Sequence, residues 1–119
     1  MREIKFRGLR IDNGEWVYGY LCGQYIASDM MHGKIVQPKS VGQFTGLKDK
    51  NGVEIYEGDV VSCGEYSDVV EWEYGCWRIK PCEELLGDCF YELDVIGNIN
   101  HGEWVITEVG YVNIHEGVK

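Results

Sequence analysis

Apolar and polar residues alternate with a period of two along most of this chain, the spacing of strands that turn one face to a core. Ile4 and Phe6 alternate with charged residues, then the apolar phase flips to Leu9 and Ile11 across Gly8, which predicts a strand with a bulge at Gly8. Asp12-Asn13-Gly14 supplies a turn, because Asn and Gly tolerate positive φ, and Trp16, Tyr18, Tyr20 and Cys22 follow at period two to complete a hairpin. Weaker strand signals lie at Tyr25 to Ala27, Ile35 to Gln37 and Val41 to Thr45. Gly46 to Gly52 reads as an exposed polar loop that Asn51-Gly52 closes before Ile55-Tyr56.

Farther on, Val60-Val61-Ser62-Cys63 leads to a second alternating stretch, Asp68 to Tyr74. It places Val70, Trp72 and Tyr74 on one face and Val69, Glu71 and Glu73 outward. A turn centred on Tyr74-Gly75 sets Trp72 opposite Trp77. Pro81 to Gly87 alone carries helix punctuation, with Pro and acids in the first turn and Gly past the end. Glu92 to Asn98 and Trp104 to Thr107 resume the strand pattern, and a further strand from Gly110 runs into a loose tail.

Many short strands, 16 Gly and 13% aromatic residues predict an all-β, mainly antiparallel, barrel-like fold with at most one or two short helices. Within it, Gly58 to Ile79 is similar to a small SH3-like barrel. A length of 119 residues suits one domain over 1–119. No apolar run approaches the roughly 18 residues of a membrane span, and Met1 to Arg7 lacks the apolar stretch of a signal peptide, so a cytoplasmic location is expected.

Cys22, Cys63, Cys76, Cys82 and Cys89 contain no C-x-x-C pair, which argues for reduced thiols, no metal and no other cofactor. His32, His101 and His115 stand far apart. No H-E-x-x-H, G-x-S-x-G or phosphate-binding glycine loop occurs, and Asp68, Glu71 and Glu73 read as a solvated face rather than an acid/base pair.

The net charge of -9 is unevenly spread. Residues 1 to 50 hold eight Lys/Arg against five Asp/Glu, whereas residues 51 to 119 hold three against fifteen. Such a balance disfavours direct binding to a phosphate backbone and suits docking between unlike patches.

The stretch Phe44-Thr45-Gly46-Leu47-Lys48-Asp49-Lys50-Asn51-Gly52-Val53-Glu54-Ile55-Tyr56-Glu57-Gly58-Asp59-Val60-Val61 resembles the signature of the YopX family of phage and prophage proteins. Ile4-Lys5-Phe6-Arg7 and Val95-Ile96-Gly97-Asn98-Ile99 agree with it. The resemblance implies a largely β protein of phage or prophage origin and carries over no catalytic residue. Gly46, Asn51-Gly52 and Gly58-Asp59 are also what a loop and a strand entry need structurally.

The expected function is therefore a non-enzymatic module that binds a protein partner or assembles with itself as a homo-oligomer, without direct contact to nucleic acid or membrane. Candidate interaction residues are Arg7, Arg10, Trp16 and Tyr18 on the first hairpin, and Lys48, Asp49 and Lys50 in the polar loop. Two alternatives stand beside it: an acidic mimic of nucleic acid that occupies the basic cleft of a host DNA-binding protein, and an enzyme whose site is scattered along the chain.

Overall fold

The computed structural model describes residues 4–23, 25–27, 33–63, 66–73, 76–80, 84–86, 90–107 and 110–113. The fold is all-β, with antiparallel pairing dominant and, among the described residues, no helix of seven or more residues. The strands are β1 (Phe6–Leu9), β2 (Trp16–Cys22), β3 (Tyr25–Ala27), β4 (Gly33–Ile35), β5 (Gly42–Lys48), β6 (Glu54–Tyr56), β7 (Asp59–Ser62), β8 (Ser67–Glu73), β9 (Cys76–Lys80), β10 (Glu84–Leu85), β11 (Asp94–Asn98), β12 (Trp104–Thr107) and β13 (Gly110–Asn113). Short 3-10 turns occupy Pro38–Ser40 and Phe90–Glu92.

A first sheet runs β4-β3-β2-β1-β5-β6, and a second contains β7 to β13. The expected first hairpin is present, with Leu9 opposite Trp16 and Phe6 opposite Gly19. Its register is unbroken, so Gly8 is not a bulge. Val36 lies against it instead: a Cβ on Gly8 would stand 3.0 Å from the Val36 Cβ, so the missing side chain is what admits this buried residue. Arg10 bridges Val36, while the Gln37 N–H donates to the Leu9 carbonyl at 2.8 Å. The chain after β4 thus returns to the end of β1, and the first four strands curl back on themselves.

In the second sheet, β7, β8 and β9 form an antiparallel meander over the stretch read as barrel-like. β7 also pairs with β11, whose register shifts between Val95 and Gly97. The first half of β8 is buried on both faces. Val69, expected to point outward, is as enclosed as Val70, because strand β7 beside it carries Val60 and Val61, both buried, on opposite faces. Alternation reports burial only where one face meets water, and here neither does. Ile55, Val61, Val70, Ile79, Leu86 and Leu93 make the larger core.

Within the predicted helix, Glu84–Leu85 pair with β9 as a strand while Leu86 is helical; residues 81–83 and 87 lie outside the described residues, as does the Tyr74-Gly75 turn. Strand pairing at Ile79 and Arg78 overrides a helix signal only one or two turns long. The expected Trp72–Trp77 pair is observed, directly opposite in register with ring centroids 4.8 Å apart and planes at 70°. Edge-to-face packing of this kind contributes about 0.5–1.5 kcal/mol beyond area burial. A double-mutant cycle of Trp72→Ala and Trp77→Ala, read by chemical denaturation, should give a coupling energy in that range, and additive losses would contradict the contact.

Candidate functional site

The three stretches that resemble the YopX signature are well separated in sequence, and the fold brings them to one point. β1 lies between β2 and β5, so Arg7 sits opposite Tyr18 on one side and Gly42 on the other. Gly42 is needed there, because a Cβ would meet the Glu57 carbonyl oxygen at 2.5 Å. Its absence lets the turn between β6 and β7 press against the first sheet. Gly58 closes that turn at φ +86°, and Asp59 follows, its side chain fully buried.

Both Asp59 oxygens are occupied. Oδ2 accepts the Tyr56 N–H at 2.7 Å, and Oδ1 accepts from Arg7 Nη2 and from Asn98 Nδ2, the latter at 3.1 Å. Burial pushes the Asp59 carboxyl up from its usual range, against the opposing pull of Arg7, the Tyr56 N–H and Asn98. The Arg7 guanidinium is itself held between rings, 4.1 Å from the Trp16 centroid and 4.4 Å from that of Tyr56. The Tyr56 hydroxyl donates to Glu54 Oε1 at 3.0 Å, and Lys5 Nζ donates to Glu54 Oε2 at 2.7 Å. Burial and then the Glu54 carboxylate raise the Tyr56 phenol well above its ordinary value. These groups are committed to one another, so their chemistry is cohesion rather than proton transfer.

A second polar hub organises the loop. Asp49, expected on an exposed surface, is only 6% exposed. Its Oδ1 accepts the N–H groups of Asn51 (2.8 Å) and Val53 (2.9 Å), and its Oδ2 accepts that of Val95 at 2.9 Å. Burial by itself would raise this carboxyl, but the three donors outweigh it and hold it below its usual range. The loop thereby joins β5–β6 to β11, and Lys50 Nζ adds an ion pair to Asp94 at 3.2 Å.

The candidate interaction residues therefore divide. Arg7, Trp16 and Tyr18 come together around Asp59, and Arg10 lies farther along, paired with Asp12 at 2.6 Å. Lys48, Asp49 and Lys50 belong to the separate loop hub. Asp49 is withdrawn from any surface role by its three backbone donors, whereas Lys48 and Lys50 remain exposed. Tyr56, Asp59 and Asn98 were not candidates. Their signal was available, since each is a polar or hydroxylated residue within the three signature stretches, and a turn does not need a buried carboxylate.

What fold and site define is a small two-sheet all-β protein whose polar centre locks the sheets together beneath an aromatic strand. The chain belongs to the YopX protein family, whose model matches residues 3–102. A comparison with curated proteins finds no match.

Asp59→Asn should destabilise the protein by about 3–5 kcal/mol in chemical denaturation, since it leaves the Arg7 charge enclosed without its carboxylate. Asp49→Asn sets an amide N–H against a backbone N–H and should cost about 1–3 kcal/mol. The folded Asp49 value is depressed, so its contribution is complete above the usual 3.8 and is lost as pH falls through the folded value. The stability gap between wild type and Asp49→Asn should accordingly narrow in acid. A gap unchanged by acid would show that the charge of Asp49 is not what holds the loop.

Proposed function

We propose that this chain is a phage- or prophage-encoded, non-enzymatic protein-interaction module that works in the bacterial cytoplasm. One observation carries the reading. Tyr18 and Tyr20, on the same face of β2, are 47% and 63% exposed, while the charged groups behind them are consumed by the fold. Tyrosines held on a strand offer contact area at little further entropy cost, which is how binding surfaces concentrate their energy. Tyr18 rests edge-on against Tyr56, with centroids 5.8 Å apart, so the exposed strand is backed by the Arg7–Asp59 clamp.

The basic residues of the first strand bear on which force drives binding. Lys5 pairs with Glu54, Arg7 with Asp59 and Arg10 with Asp12, all within one molecule. Contact through this face is then apolar and tolerant of salt. An acidic mimic of nucleic acid would instead depend on the negative second half and be lost steeply as salt rises.

Immobilised wild-type chain in bacterial lysate should retain a protein at moderate salt, and Tyr18→Ser/Tyr20→Ser should lose it while melting within a few degrees of wild type. Equal retention by the variant would remove this face from the reading, and retention that disappears steeply with salt would favour mimicry.

A further inference from the structure

A second pair of surfaces, separate from the aromatic strand, is complementary in charge. Where the first four strands curl together, the turn after β1 and the outer side of β4 leave a groove of about 340 Å³ lined by Arg10, Ile11, Asp12, Lys34 and Ile35. Ile11 and Ile35 are 60% and 44% exposed. Arg10 is matched by Asp12, whereas Lys34 has no ion-pair partner among the described residues, so the groove is apolar with a positive rim.

On the other sheet, β12 is a terminal strand that pairs, among the described residues, with β13 alone. Edge strands are normally blunted by Lys, Pro or a bulge. Trp104-Val105-Ile106-Thr107 has none of these, its register is regular, and Ile106 is 72% exposed. The residue before it is the exposed acid Glu103.

We infer that β12 of one copy docks into the Arg10–Ile35 groove of the next, a head-to-tail contact between copies of this chain. It rests on the reading of the protein as an interaction module but uses neither Tyr18 nor Tyr20. Charge selects the occupant. Groove against groove would oppose two lysines, and like charges directly opposite destabilise a pairing. Groove against β12 instead sets Lys34 near Glu103 and buries Ile106 against Ile11 and Ile35. Because the two surfaces differ, the contact is heterologous and builds rings or open chains rather than a two-fold dimer.

The test uses sedimentation equilibrium with full-length chains at tens of micromolar, with melting curves to confirm that each variant folds. Wild type should exceed the 13.6 kDa monomer mass. Ile106→Ser, which keeps the groove, and Ile35→Ser, which keeps β12, should each be monomeric alone and form a one-to-one dimer when mixed. Tyr18→Ser/Tyr20→Ser should assemble like wild type. A monomeric wild type, self-association of Ile35→Ser at the wild-type level, or a mixture that remains monomeric would each overturn the contact. Loss of assembly in the tyrosine variant would overturn it too, transferring self-association to the aromatic strand without removing the interaction reading itself.

Discussion

Asp59 is the carboxylate on which both sheets converge. It lies at the start of β7 in the second sheet, accepts from Arg7 in the centre of the first, and is braced by Asn98 at the end of β11. A carboxylate removed from water is costly unless its acceptor sites are filled, and here three donors from three distant parts of the chain fill them. The dependence is mutual. Arg7 is enclosed by Trp16 and Tyr56, so without Asp59 a guanidinium would remain between two rings with no counter-charge. Close approach makes the pair geometrically possible, and close approach needs Gly42, where a side chain would strike the Glu57 carbonyl.

The Asp49 hub repeats the principle at the other end of β5 and β6. One carboxylate satisfies amides of the turn and of β11, with no metal or helix dipole needed to balance it. Two buried acids thus account for the long polar signature between Phe44 and Val61. They also explain why that signature, dense in residues that could do chemistry, presents little of it to solvent. Charges consumed inside a small protein are unavailable to a partner, and the surface left over carries exposed tyrosine and isoleucine beside Lys34, Lys48, Lys50 and scattered acids.

Interaction through apolar side chains on strands is consistent with how the sheets end. In the first sheet the edge is partly hidden where β4 returns to β1, which leaves a groove rather than a flat border. In the second, among the described residues, β12 ends the sheet without a charged or proline guard. Trp104 keeps this outlying hairpin in place, packing over Gly97 and donating its indole N–H toward the Asn98 and His101 carbonyls, so β12 is tied to Asn98, which braces Asp59.

Local pattern in the sequence by itself determined the β class, the first hairpin with its Asn-Gly turn, and the Trp72–Trp77 pair, because period-two alternation and turn chemistry act between residues close along the chain. It also marked the three signature stretches. Tertiary structure alone decided that Gly8 accommodates Val36 rather than forming a bulge, that Val69 is enclosed, and that Glu84–Leu85 joins a sheet. It likewise decided that Arg7, Asp59 and Asn98 meet and that Asp49 is buried. Each of these outcomes depends on which segment arrives from elsewhere in the chain to cover a face, fill a gap or saturate a carboxylate. Such long-range pairings have no local period to announce them, since their free energy comes from burial and donors that exist only once the two sheets have closed on each other.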